Sequence, residues 1–388
     1  MTEKLYEADA YCKSCQAVVV SCIPKGQEFE VELDRTCFYP EGGGQPGDQG
    51  VLELPGTGRR VAVLDTTERD GAVVHHTGEA LAPGTKVRGE IDWERRFDLM
   101  QNHSGEHIVS GLIHEKFGYN NVGFHMGSDV LTVDLDGEFS ADQMRQLEYE
   151  ANLAVWQDRP VEIRVYSHDE VGNLEYRSKK EIPGQVRIVT MPGTDVCACC
   201  GTHVARTGEI GLIKLISVQK FRKGVRMEMI CGNRALKYMN QIWDQNHQIS
   251  VALSAKPGET AAAVERMKEL QASQSYRLME LENRLFEQKA RELAGNGNVV
   301  LFEEGLTPEG VRRLAVAVME TCGGRCAVFS GTDEIGYKYA IGEKEGDLRQ
   351  LVKELNGRLG GRGGGKPYFV QGSLGAPRNE IETFLSEQ

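Results

Sequence analysis

The hydrophobic period of this chain changes at Asp92, and that change restricts the fold more than any other feature. Upstream, residues 17–23, 29–34, 50–53, 60–65 and 71–76 are short β-rich runs separated by Gly, Pro and Asp breaks. A pleated strand sends successive side chains to opposite faces, so each such run can line a core with one face only. Short strands this closely spaced predict a small antiparallel β-barrel over 1–90. Downstream, Phe97, Met100, His107, Ile108, Leu112 and Ile113 fall on helical spacing and predict one long helix over 93–117.

Strands are expected again at 129–135, 161–166, 188–191, 210–218 and 225–231, with a helix at 141–156, which makes 91–232 a mixed domain. Helices at 233–254 and 259–294 are split by Lys256-Pro257-Gly258, a strong breaker. Val264, Met267, Gln271, Gln274, Leu278, Leu281 and Leu285 keep 3–4 spacing on the second of them. The segment 233–296 therefore reads as an antiparallel helical hairpin or coiled coil, able to join domains or to pair two copies as a homodimer. Strand and helix patterns at 299–302, 310–321, 326–330, 337–341 and 348–355 predict a small α/β domain over 297–388. The class as a whole is α+β.

No run of about eighteen apolar residues occurs, so no membrane span is expected. The opening residues carry acids and lack a basic-then-apolar leader, which points to a cytoplasmic protein. There the ten cysteines stay reduced, as metal ligands or packing groups. A net charge of −12 argues against indiscriminate nucleic-acid binding but leaves room for local basic faces at 214–226 and 358–366.

Two clusters carry metal-type ligands. His103-Ser-Gly-Glu-His107 lies in the expected helix, where i and i+4 share one face. Cys197-Ala-Cys199-Cys200-Gly201-Thr202-His203 packs three thiols and an imidazole into what reads as a loop. Thiolate and imidazole are zinc ligands, and four satisfy a tetrahedral ion. Cys199 and His203 repeat the i, i+4 spacing, with Cys197 and Cys200 as alternative sulfurs. A closed four-ligand set is also what a structural zinc requires. HSGEH in addition fits the inverted zinc-protease pattern, with Glu106 as general base. Elsewhere, Cys12 and Cys15 read as packing thiols, His75 and His76 as surface residues at a strand end, and His125 as a strand histidine near the site.

Several stretches together resemble the editing domain of alanyl-tRNA synthetase and, more closely, the stand-alone alanyl-tRNA editing proteins. They are LDRTCFYPEGGGQPGDQG (33–50), DWERRFDLMQNHSGEHIVSG (92–111), GFHMGSDVLTVDLD (123–136), CCGTHVARTGEIG (199–211) and RMEMICGNRAL (226–236). GGRGGGKPYFVQG (360–372) is similar to the glycine-rich end of the DHH-associated domain that closes those synthetases. The likeness runs in order across almost the whole chain. It implies a zinc-dependent hydrolase that clears serine, with glycine as a second target, from wrongly charged alanine tRNA. By matching position it implies His103, His107, Cys199 and His203 as zinc ligands. Cys200 stands where the family often has glycine, and Glu106 where relatives often carry another residue.

Under that resemblance Thr36 and Gln45 are the polar residues placed to read a serine hydroxyl. A synthetase pocket that admits alanine cannot exclude serine strongly by size, whereas a site that hydrogen-bonds the hydroxyl can reject alanine. Gly42, Gly43 and Gly44 would let backbone approach the terminal adenosine. Arg362 and Lys366, with the backbone of 360–366, would hold RNA phosphate. The competing reading is a non-catalytic tRNA-binding module with structural zinc.

Overall fold

The computed structural model of the protein describes residues 2–172, 174–178 and 184–388. The chain forms two compact units, Met1–Gln245 and Asn246–Gln388, with the boundary inside the helix Gly232–Ala252.

In the first unit six antiparallel strands close a barrel in the order Ser14–Lys25, Glu28–Leu33, Ala72–Thr77, Arg60–Arg69, Gly50–Glu53, Lys86–Ile91. Burial alternates along Arg60–Arg69 and Lys86–Ile91, as period two demands. Val19, Val31, Leu33, Phe38, Leu52, Val61, Val63 and Val87 fill the interior. Closure leaves no unpaired sheet edge. The strand that closes it, Lys86–Ile91, is absent from the sequence reading because Gly89 takes an inward position and interrupts the apolar pattern.

His75 corrects an expectation. It is a fully buried wall residue and not a surface one. Its Nδ1–H donates to the Val31 carbonyl at 3.0 Å, which leaves Nε2 to accept from the Thr36 hydroxyl at 2.8 Å. Burial pushes the imidazole down to about 4.

The helix Trp93–Phe117 follows the barrel directly. Asp92 caps it by accepting from the Arg95 N–H, and Gly118 ends it at φ 70°. Arg96 in its first turns is fully buried and ion-paired with Asp48, itself 1% exposed. Its Nη1 and Nη2 donate to the carbonyls of Ala10 and Cys37 at 2.8 Å each. This clamp ties the glycine-rich segment to the helix. Leu99, Met100, Ile108 and Ile113 then pack on the sheet of Ile213–Phe221, Gly224–Cys231, Leu131–Leu135 and Asn121–Met126. A three-stranded sheet of Glu162–Tyr166, Val186–Met191 and Asp195–Ala198 completes the unit. Its strand Asp195–Ala198 meets the helix at Gly111, where a Cβ would lie 2.2 Å from the Thr194 carbonyl oxygen.

The second unit carries a five-stranded sheet in the order Gly297–Phe302, Gly323–Thr332, Gly336–Glu343, Phe369–Leu374, Arg362–Lys366. Only its first pair is parallel. Helices Pro308–Cys322, Arg349–Arg358 and Arg378–Ser386 cover its core. In the 360–366 segment, Arg362–Lys366 is an exposed edge strand. Helix Thr260–Glu292 anchors its far end in the core through Phe286 and Ala290. Its stripe of Met267, Leu278, Leu281 and Leu285 is exposed in the single chain. Among the described residues no helix is long and apolar enough to cross a membrane.

Candidate metal centre

The helix Trp93–Phe117 projects His103 and His107 from one face, one turn apart. Facing them is the turn that leaves the strand Asp195–Ala198. Arg187 shapes this turn by donating from Nη1 to the carbonyls of Cys199 (2.7 Å) and Gly201 (3.0 Å). One ligand atom each from His103, His107, Cys199 and His203 lies within 4.8 Å of all the others. His103 Nε2 and His203 Nε2 stand 3.5 and 3.4 Å from Cys199 Sγ. The three rings crowd together at centroid separations of 4.5, 4.7 and 5.3 Å. All three histidines are 1–2% exposed. Such a set of buried, converging nitrogen and sulfur donors can hold a metal ion.

The outward nitrogen of every ring is held. His103 Nδ1–H donates to Gln45 Oε1 at 2.9 Å, His107 Nδ1–H to Asp195 Oδ2 at 2.9 Å, and His203 Nδ1–H to Ser104 Oγ at 3.3 Å. These bonds fix the tautomers and turn the Nε2 lone pairs inward, as partners behind a metal's ligands do. Arg177 holds Asp195 in turn, through Nε (2.7 Å) and Nη2 (2.9 Å). Charge follows the same geometry. Burial opposes ionisation of Cys199, yet the neighbouring His103 charge holds its thiol well below the ordinary value. Burial likewise opposes the charge on His107, but the bond to Asp195 holds it well above. Burial and the neighbouring His103 charge push His203 down to about 3. Cys197, on the strand, is pushed up to about 11 by burial. It groups with His107 and Asp195, but Arg177 and His107 already occupy both Asp195 oxygens. Cys200 is exposed and outside the four-residue set.

Gln45 reaches the centre from the barrel side. Gly42 and Gln45 exchange both backbone hydrogen bonds at 3.0 Å around Gly43 (φ 61°) and Gly44 (φ 88°). Two positive-φ residues in succession are what a tight two-residue hairpin turn needs. Gln45, fully buried, accepts at Oε1 from His103 and from the Thr202 N–H (3.1 Å), and donates from Nε2 to Thr202 Oγ1 (2.7 Å). Gly44 packs under Phe124, whose ring stacks on His103 at 5.3 Å. Gly201 fits equally tightly, since a Cβ there would lie 2.2 Å from His103 Cε1.

A cavity of about 1360 Å³ opens over this cluster, lined among others by Gly43, His103, Glu106, His107, Phe124 and Cys199. Thr36 is not among its lining residues. Fully buried, it donates to His75 and accepts from the Phe38 N–H at 3.1 Å. His125 is exposed, because strand alternation turns it away from the face that Phe124 presents. Glu106 does lie on the cavity wall, but Cys199 and His203 complete the donor set, which the inverted-protease pattern does not call for. The basic stretch 214–226 is largely neutralised by the pairs Lys214–Glu148, Lys220–Glu138 and Arg226–Asp134. Arg362 and Lys366 are exposed in the second unit and enter no ion pair among the described residues. Asp195, Arg177, Arg187 and Ser104 escaped the sequence reading. Asp195 alone carried a signal, as an acid two residues before Cys197.

Residues 6–95 match the family described as tRNA synthetases class II (A), residues 186–226 the Threonyl and Alanyl tRNA synthetase second additional domain, and residues 295–387 the DHHA1 domain. The alanyl-tRNA editing protein AlaX-L of Pyrococcus horikoshii is 31% identical, covering 98% of this chain and 96% of its own. The alanyl-tRNA editing protein Aarsd1 of Danio rerio is 29% identical, covering 98% and 97%. An alanine–tRNA ligase of Natronomonas pharaonis is 32% identical over 96% of this chain, which spans only 42% of that ligase. The chain belongs to the family of alanyl-tRNA editing proteins.

Proposed function

We propose that this protein is an aminoacyl-tRNA deacylase, a carboxylic ester hydrolase that frees alanine tRNA wrongly charged with serine, with glycine as a second target. The observation that carries the reading is the Gln45–His103 bond, which joins the glycine-rich turn to the four-residue centre. A chain end seated on that turn lies beside the metal ligands.

Zinc suits the donor set. Ligand distances of ~2.3 Å to sulfur and ~2.0 Å to nitrogen at a tetrahedral angle place N and S about 3.5 Å apart. The separations of 3.5 and 3.4 Å fit that value. His103, His107, Cys199 and His203 would hold the ion, which would orient the tRNA end and, with one of the four ligands displaced, supply a Lewis acid for the ester carbonyl. Gln45 and Asp195 keep two of those imidazoles aimed. Gly43, free of side chain, admits the terminal nucleoside to the wall of the cavity. The Thr36 hydroxyl spends its proton on His75 and one lone pair on the Phe38 N–H. It is fully buried and does not line the cavity, so it supports the wall rather than meeting the serine hydroxyl. Segments 1–90 and 91–232 act on the ester, 233–296 joins them to 297–388, and Arg362 and Lys366 there contact phosphate.

The test is discharge of seryl-tRNA and alanyl-tRNA of the alanine type. Wild type should discharge the seryl form preferentially. A chelator or His103→Ala should stop the reaction. Folded, zinc-loaded protein without turnover would make the chain a tRNA-binding module instead.

A further inference from the structure

One charged group on the cavity wall has no role in the account above. Glu106 sits between the two helical ligands in sequence and is 5% exposed. Its Oε1 accepts from the Ser110 hydroxyl and from Asn121 Nδ2, each at 2.5 Å. Two donors on one oxygen mark a carboxylate acting purely as acceptor. Among the described residues no hydrogen bond reaches Oε2 and no cation pairs with Glu106. Arg177 lines the same cavity, but its Nε and Nη2 both lie on Asp195. Of the other acids on the wall, Asp195 is taken up by His107 and Arg177, and Glu115 and Glu175 are exposed. Glu106 therefore stands on the cavity wall with Oε2 open to a cationic group of a bound substrate.

We propose that Glu106 binds the α-ammonium group of the aminoacyl ester, and so confines hydrolysis to amino acids with a free amine. The proposal rests on the deacylase reading. The ammonium nitrogen is two bonds from the scissile carbonyl carbon, and helical spacing puts Glu106 on the face adjoining His103 and His107. A salt link at Glu106 thus sets the carbonyl against the metal ligands. An N-acylated amino acid carries no charge there and adds bulk, so it gains nothing from the contact.

The experiment compares seryl-tRNA with N-acetylseryl-tRNA as substrates for wild type, Glu106→Gln and Glu106→Asp. Glutamine preserves the acceptor for Ser110 and Asn121 while removing the charge. Loss of a charge-assisted bond should lower kcat/KM on seryl-tRNA about 10- to 100-fold and leave N-acetylseryl-tRNA within about 3-fold. Aspartate should restore part of the preference. Equal losses on both substrates would reduce Glu106 to a strut between the helix and Asn121, and overturn the proposal. In parallel, equilibrium binding of 3′-serylamido-3′-deoxyadenosine and its desamino counterpart reads the contact without turnover. Wild type should favour the amine about 10-fold or more, and the glutamine variant should not. Absence of turnover on either tRNA defeats the deacylase reading, while lack of amine preference in this titration defeats the role of Glu106.

Discussion

Replacing Gln45 by leucine keeps the side-chain volume but strips an amide that serves three partners: the His103 Nδ1–H, the Thr202 N–H and the Thr202 hydroxyl. The hydroxyl can rotate to another partner, but the two N–H donors cannot. Thr202 and His103 are each 2% exposed, so water does not replace the lost oxygen. A buried donor left unpaired costs about 1–3 kcal/mol, giving about 2–6 kcal/mol of lost stability for the pair. The freed His103 ring should also lower metal affinity about 10- to 100-fold, as loss of a partner behind a ligand commonly does. Gln45→Glu retains an acceptor for both donors and should sit close to wild type. Competition for zinc against a chromogenic chelator measures the first effect, and urea unfolding the second. A leucine variant within about 3-fold of wild-type affinity and within about 0.5 kcal/mol in stability would show that His103 is positioned by something else.

Gly201→Ala should weaken zinc binding at least about 10-fold, because the new methyl meets His103 Cε1 at 2.2 Å and must push the ring off its position; unchanged affinity by chelator competition would contradict this. Arg96→Met should destabilise the first unit by about 3–5 kcal/mol by leaving Asp48 charged and buried, and Arg96→Met with Asp48→Leu should recover much of that loss in urea melts. His75 titrates near 4 in the fold against an ordinary 6.5, so the unfolded chain takes up the proton first. Its contribution is intact above pH 6.5 and is lost as pH falls towards 4, amounting to about 3 kcal/mol. His75→Gln should remove that part of the pH slope, and an unaltered slope would place the titration elsewhere.

The sequence was most legible where local pattern and packing agree. The helix over 93–117 announced itself because Phe97, Met100, Leu112 and Ile113 repeat on one face, and Asp92 and Gly118 cap its ends. Most of the barrel was readable from alternation, until Gly89 removed the signal from the closing strand. Arg362–Lys366 offered no β-propensity at all, yet it pairs: at Gly363 and Gly365 the neighbouring backbone, with the Tyr339 hydroxyl at Gly363, comes too close for any side chain. The ligand types could be read from two i, i+4 pairs. Their supports could not, since Asp195 meets His107 across 88 positions and Gln45 meets His103 across 58. Such partners are chosen by tertiary contact. The stripe of Thr260–Glu292 shows the converse, a regular period that no core of the single chain covers.

The hairpin of Gly43 and Gly44 works as a ruler. Gly42 and Gln45 lock it through paired main-chain bonds, so the backbone fixes the point from which the Gln45 amide reaches His103. One extra residue at its tip would reverse the face from which the amide departs. A chain could then keep all four ligands and still lose its ion through an insertion at a loop tip, the kind of site where added length is ordinarily harmless.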